Sequence, residues 1–267
     1  MRDLLGFGVV RTLIVVPTYN EALNIERMLR TLRGTLPGVD VLVVDDGSPD
    51  GTADLVRQSA GQLGQIELLE RQGKGGLGSA YRAGFAWGLE RGYDAFVEID
   101  ADFSHDPASL PKLLQAAEAG ADVVIGSRYV KGGSIPDWPW HRHLLSWGGN
   151  RYAQMMLGLG VHDATAGFRV YKSTALRAMD FTTVGADGYG FQIEMTMRAK
   201  FSGQTIKEVP IAFIDREHGE SKMSGAIVSE ALVLVTRWGF DRLRGKGWKP
   251  SASRPPVERS GEVSEPN

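Results

Sequence analysis

Five short apolar runs, at residues 12–16, 39–44, 66–69, 95–99 and 122–126, alternate with stretches of helical periodicity through the first half of the chain. That alternation predicts an α/β fold built on a mostly parallel, doubly wound sheet with helices on both faces. Between the first two runs, Ile25, Met28, Leu29 and Leu32 recur at helical spacing. Pro17 reads as the stop of the first strand, Asp50 as the cap of a helix running through Leu55 and Val56, and Asp106-Pro107 as a further helix start. Beyond Ser127 the pattern loosens. Residues 168–171 and 209–214 still read as strands, and residues 191–201 and 227–242 as helices.

In a parallel sheet, ligands collect at the carboxyl ends of the strands. Three of the predicted strands end there in acidic loops. Pro17-Thr18-Tyr19-Asn20-Glu21 follows the first, Val44-Asp45-Asp46-Gly47-Ser48 the second, and Asp100-Ala101-Asp102 the fourth. Two carboxylates one residue apart form a hard oxygen site, suited to Mg²⁺ or Mn²⁺ whose shell is completed by water and substrate phosphates. A lone D-x-D reads more readily as a solvated acidic turn. Likewise Asn20 and Asp50 read as simple caps and Gly47 as a turn. Three acidic loops on one sheet edge favour a nucleotide site, with Tyr19 as a stacking face and Glu21 and Asp46 as acceptors for ribose or base groups.

Several classes are excluded. Gly73-Lys74-Gly75-Gly76-Leu77-Gly78 matches neither the P-loop nor the G-x-G-x-x-G order. With no cysteine there is no disulfide, thiolate metal site or cysteine nucleophile. A formal net charge of -2 gives no bulk attraction for nucleic acid. No signal peptide and no apolar run long enough to span a bilayer are expected. Against that mildly acidic background, Arg128, Arg169, Arg216 and Lys222 stand in or beside glycine-containing loops, where Arg and Lys suit phosphate contact as well as plain solvation. His105, His162 and His218 lack metal-ligand spacing and read as loop histidines.

At this level of detail the chain resembles the family 2 glycosyltransferases, most closely the polyprenol-phosphate (dolichol-phosphate) mannose synthases. The stretches that carry the likeness are VVPTYNE (15–21), VVDDGSPDGTAD (43–54), EIDADFSHDP (98–107), IGSRYV (125–130), DATAGFRVYK (163–172), GYGFQIEMTMRA (188–199) and REHGESKMS (216–224). The resemblance implies a GT-A type Rossmann-like sheet flanked by helices, using GDP-mannose, Mg²⁺ or Mn²⁺, and a polyprenyl phosphate acceptor. It puts Pro17, Tyr19, Glu21, Val44 and Asp46 in the nucleoside pocket. Asp100, Ala101 and Asp102 would lie along the donor with both aspartates at the metal, and Arg128, Arg216 and Lys222 on donor and acceptor phosphates. Family members often carry Gln where this chain has Ser104, which would supply a weaker metal ligand or leave the position to water. The rival readings are a polyprenol-phosphate glucosyltransferase using UDP-glucose, a catalytically silent nucleotide-sugar-binding protein and a metal-dependent nucleotide hydrolase.

A polyprenyl acceptor without a spanning helix implies a peripheral enzyme at the cytoplasmic face of a membrane. Arg237, Arg242, Arg244, Lys246 and Lys249 gather near Trp238, Phe240 and Trp248. They read either as a patch for an anionic bilayer or as the solvated end of a core-packed last helix. A membrane-embedded anchoring protein is the other route. The expected division is a catalytic domain over residues 1–245 and a basic, then disordered, tail over 246–267, with residues 251–267 rich in Ser, Pro and Glu.

Overall fold

The computed structural model describes residues 10–216 and 225–250. Seven strands form one sheet: β1 (Thr12–Thr18), β2 (Asp40–Asp45), β3 (Ile66–Glu70), β4 (Ala95–Glu98), β5 (Val123–Ser127), β6 (Arg169–Lys172) and β7 (Ile206–Pro210). Their spatial order is β3-β2-β1-β4-β6-β5-β7. β1 pairs parallel with β2 and β4, and β2–β3 and β5–β7 are parallel as well. β6 runs antiparallel to both β4 and β5. Because β6 is reversed between them, β5 still points the same way as β4, and its carboxyl end reaches the same edge.

Among the described residues eight α-helices cover the sheet: α1 (Ile25–Thr35), α2 (Thr52–Leu63), α3 (Leu77–Glu90), α4 (Leu110–Glu118), α5 (Trp140–Leu157), α6 (Ser173–Ala178), α7 (Gly188–Phe201) and α8 (Gly225–Leu243). Coverage on both faces explains the unbroken apolar strands. In β1, Leu13 and Val15 join the core under α3, α5 and α7, while Ile14 and Val16 join the core under α1 and α4. Glycine sets how closely α3 sits on the sheet: a Cβ on Gly84 would lie 2.5 Å from Val15 Cγ1 and 3.2 Å from Val44 Cγ2.

Three expectations shift. Pro17 does not end the first strand; it pairs with Val44 inside the parallel ladder. The last strand lies at residues 206–210 rather than 209–214, and residues 212 and 213 make only isolated bridges to Ser134 and His105. Asp50 lies one residue before the helix cap Gly51, where its carboxylate accepts from Thr52 N at 3.1 Å and from Ala22 N at 3.0 Å. Asp106 does cap, accepting from Ala108 N above a short 3-10 turn at Pro107–Ser109. The tail expected over residues 251–267 lies outside the described residues.

Candidate active site

The strand order reverses direction at β1, which has β2 on one side and β4 on the other. This is the switch point where open α/β sheets form a crevice. The Tyr19–Glu21 loop, the Asp45–Asp46 loop and the Asp100–Asp102 loop all leave adjoining strands there.

The first two loops are stapled together. Asn20 N donates to Ser48 Oγ (3.0 Å) and Glu21 N to Thr52 Oγ1 (3.0 Å), with Asn20 in the left-handed region at φ 57. The two adjacent aspartates at the carboxyl end of β2, Asp45 in the strand and Asp46 just after it, divide their work. Asp45 is internal, accepting from Thr18 Oγ1 (2.8 Å) and from Ser48 N (2.8 Å). Asp46 faces the glycine loop, taking Arg71 Nη1 (2.9 Å) and Gly75 N (2.8 Å). Lys74 from the same loop stands 4.9 Å from the Tyr19 ring centre. Asp187, just before α7, accepts from Gly78 N at 2.6 Å and so ties the loop to the second half of the chain. Val44 is fully buried in the core, so only its backbone is offered to a ligand, and Pro17 sits beside it in register.

At the end of β4, Ala101 is core and anchors the turn between two carboxylates. Asp102 accepts from Ser104 N at 3.0 Å and from the Ser104 hydroxyl. The Ser104 hydroxyl therefore engages Asp102 directly, a contact that sequence reading did not anticipate. Tyr81, fully buried in α3, donates to Asp100 Oδ1 at 3.3 Å. Desolvation first, and the Asp102 charge second, push the Asp100 carboxyl up to about 7. Arg216 Nη2 lies 3.4 Å from Asp102 Oδ2. Among the described residues no group of three or more His, Cys, Asp or Glu forms a cage. An incomplete pair of hard oxygen donors fits Mg²⁺ or Mn²⁺, which leave positions for water and phosphate. His105 packs between Phe168 and Phe213, each ring centre 5.3 Å away, and burial pushes it down to about 4, so it is neutral at physiological pH.

Arg128 leaves β5 into a closed setting. Its Nε and Nη2 reach Asp163 at 2.7 and 2.6 Å, and Nη2 also reaches Thr165 Oγ1 at 2.8 Å. Both members of the pair are buried. Arg169 is no anion site. It is fully buried and donates to the carbonyls of Ala164 and Ala166, both at 2.7 Å, and to Thr196 Oγ1 at 2.9 Å. These bonds brace the glycine-containing loop that the sequence singled out. His162 is exposed and engages Glu208 at 2.8 Å. Lys222 and His218 lie outside the described residues.

Beside this crevice, α5, α7 and α8 enclose an apolar cavity of about 100 Å³, lined by Trp138, Arg142, Leu145, Tyr152, Thr165 and Val235 among others. Its wall is linked to the D-x-D loop by a short path. Arg142 Nη1 donates to Asp215 Oδ1 (2.9 Å), Trp138 Nε1 donates to the same oxygen (3.0 Å), and the next residue is Arg216. The basic-aromatic patch is corrected in part. Trp238 and Trp248 are half-buried and pack against the core, Trp248 with the Arg198 guanidinium 5.1 Å from its ring centre, because α8 seats on α5 and α7. Only Phe240 of the three aromatics is exposed. Among the described residues no helix is long and apolar enough to cross a membrane.

A mixed Rossmann-like sheet, acidic loops at its switch point and an aspartate pair after β4 define the GT-A class of glycosyltransferase. The sequence profile of glycosyl transferase family 2 matches residues 13–179, and the chain belongs to that family. It is 53% identical over 231 residues to an undecaprenyl-phosphate mannosyltransferase of Micrococcus luteus, covering 86% of this chain and 95% of that one. It is 48% identical over 240 residues to a polyprenol monophosphomannose synthase of Mycolicibacterium smegmatis, covering 88% and 91%. The fold is also that of a mannosyltransferase from Pyrobaculum calidifontis solved in complex with GDP-Man and Mn²⁺, at TM-score 0.59 and 20% identity over 90% of this chain and 66% of that one.

Proposed function

We propose that this enzyme transfers mannose from GDP-mannose to a polyprenyl monophosphate with inversion at the anomeric carbon, releasing GDP. The observation that carries the reading is an apolar cavity adjoining the D-x-D crevice: its Thr165 accepts from Arg128, and its Arg142 holds the residue before Arg216. An apolar chain with an anionic head has the matching chemistry. The names of the Micrococcus and Mycolicibacterium relatives support the same acceptor class, and the GDP-Man complex of the Pyrobaculum enzyme supports the donor.

The acceptor phosphate is already an anion and needs no general base. Its oxygen attacks the anomeric carbon from the face opposite the diphosphate, the glycosidic bond breaks, and the electron pair leaves on GDP. An α-linked donor then gives a β-mannosyl phospholipid. The obstacle is bringing two anions together, so positioning and charge neutralisation dominate. Asp100 and Asp102 would hold Mg²⁺ or Mn²⁺, which supplies neutralisation of the departing diphosphate. Ser104 and Tyr81 orient the two carboxylates, and Arg216 adds fixed positive charge beside Asp102. Tyr19 offers a ring face to the base once Lys74 moves aside, and Asp46 and Glu21 offer acceptors.

The test is transfer by the purified protein with Mg²⁺ or Mn²⁺ and polyprenyl phosphate, offering GDP-mannose against UDP-glucose. Mannosyl phospholipid from GDP-mannose is expected. Preference for UDP-glucose, nucleotide-sugar binding without turnover, or hydrolysis to free sugar would each overturn the reading.

A further inference from the structure

One backbone conformation in the acidic crevice does not suit its residue. Phe103, between Asp102 and Ser104, has φ 61. The left-handed region brings Cβ close to the following carbonyl oxygen, a cost that glycine escapes and that asparagine or aspartate partly offsets. Among the described residues four non-glycine positions adopt it: Asn20, Gln65, Phe103 and Asp180. Asn20 and Asp180 are of the tolerant type, and Gln65 is an exposed residue between α2 and β3. Phe103 is the bulky apolar side chain of the four, and it stands inside the D-x-D loop. A conformation of this kind persists only where its surroundings over-determine it.

Two anchors hold it. The half-buried ring packs against the core under α1 and α4, and the Arg27 guanidinium of α1 lies 4.4 Å from its centre. Folding back at Phe103 brings both the amide of Ser104, at 3.0 Å, and its hydroxyl onto Asp102 Oδ1. The outgoing arm of the turn then docks a distant segment. Ser104 O accepts from Ile214 N at 3.2 Å, and His105 bridges to Phe213. Just beyond that segment, Arg216 Nη2 lies 3.4 Å from Asp102 Oδ2. The reversed residue thus stands behind the setting of both oxygens of Asp102. With a relaxed backbone at this position, Ser104 would leave Asp102, and the 213–216 segment would lose its support beside it.

We propose that Phe103 is a positioning residue for the metal site, clamped left-handed by Arg27 and the core so that Asp102 is preset for the metal and Arg216 is held beside it. The inference deepens the proposed function and rests on the assignment of Asp100 and Asp102 to Mg²⁺ or Mn²⁺. Groups behind a metal's ligands orient them, and their loss typically weakens metal binding about 10–100-fold. A plain packing role makes the opposite prediction for small substitutions here. If the ring only filled space, alanine would serve better than glycine, which removes one more carbon and loosens the chain. If the turn matters, glycine serves better than alanine, because glycine enters the left-handed region without a side chain to hold it there.

The experiment compares wild type, Phe103→Ala, Phe103→Gly and Phe103→Tyr in the full chain, with Asp102→Ala as the control that loses the site. Calorimetry with Mn²⁺ alone measures metal binding, and circular dichroism and urea unfolding of metal-free protein measure the fold. Phe103→Ala should bind Mn²⁺ about tenfold or more weakly, Phe103→Gly within about threefold of wild type, and Phe103→Tyr as wild type does. The metal-free urea midpoint should place the glycine variant above the alanine variant. Mn²⁺ binding by Phe103→Ala equal to wild type, or by Phe103→Gly no tighter than by Phe103→Ala, overturns the proposal and leaves the transfer reading standing. If Phe103→Ala does not fold, Phe103→Gly decides: near-wild-type affinity supports the proposal, and a loss of about tenfold in a folded glycine variant overturns it. Wild type that binds Mn²⁺ no better than Asp102→Ala overturns the metal assignment itself, and this inference falls with it.

Discussion

Arg128 and Asp163 form a buried bidentate ion pair, with Nε–Oδ2 at 2.7 Å and Nη2–Oδ1 at 2.6 Å. It joins the loop after β5 to the loop before β6, 35 residues apart in the chain. Burial by itself would raise the Asp163 carboxyl, but the Arg128 charge and hydrogen bonds outweigh it and hold the group below its usual range. Arg128 is raised, its desolvation likewise outweighed by Asp163. The guanidinium is thereby fixed next to Thr165 in the cavity wall, a preorganised charge rather than a free surface one.

Asp163→Ala should therefore cost about 3–5 kcal/mol, because it strands a buried cation. Arg128→Lys should also be poorly tolerated, since an ammonium cannot make the forked contact. Thermal and urea unfolding measure both, and a loss under 1 kcal/mol (about the value of an exposed pair) would contradict the geometry.

Asp102 and Arg216 should separate by what they disturb. Asp102→Ala should abolish transfer and weaken Mn²⁺ binding in calorimetry, while unfolding near the wild-type midpoint. Arg216→Ala should lower kcat by roughly 10²-fold or more, the scale of one preorganised charge-stabilising contact. If Arg216→Ala lost only thermal stability at full specific activity, the residue would be structural.

Glu98 predicts a pH dependence of stability. It is fully buried two residues before Asp100, with Gln192 Nε2 donating to it at 3.1 Å, and burial pushes its carboxyl up to about 8. A folded pKa above the unfolded value means that the native state binds more protons. Stability is then full below the unfolded pKa and falls as pH rises toward about 8, by up to about 1.4 kcal/mol per pH unit from this group. Glu98→Gln should remove that slope. Urea denaturation of metal-free protein at about pH 5 and about pH 8 should give a larger loss in wild type than in the variant, whose remaining loss comes from Asp100, raised to about 7. Parallel behaviour of the two proteins would mean that Glu98 is ionised in the fold.

Gly84 tests the packing of α3 on β1. A methyl there would meet Val15 Cγ1 at 2.5 Å in a core closed from both sides. Gly84→Ala should cost about 1–3 kcal/mol through overpacking, despite the better helix propensity of alanine. A stabilised variant would show that the helix can lift from the sheet.

The strands and their order of appearance were legible in the sequence because the physics is local. Fully buried strands read as continuous β-branched runs, and Leu13–Val15 against Ile14–Val16 is the period-two division between two cores. The acidic loops were legible too, since each follows directly from a strand. What the sequence could not determine is which polar groups meet across long separations. Asp45 and Asp46 are neighbours of identical chemistry, yet one is locked to Thr18 and the other to Arg71, and only the direction each side chain takes off β2 decides it. Arg128, Arg169 and Arg216 look alike as loop cations, but burial and partner make the first a paired charge, the second a loop brace and the third a neighbour of Asp102. The aromatics divided the same way. Trp238 and Trp140 are equally apolar residues near cations, and the seating of α8 on α5 and α7 turns the first into the core while the unsupported start of α5 leaves the second in solvent. Composition and periodicity specify the elements, whereas solvent exposure and pairing are properties of the packed whole.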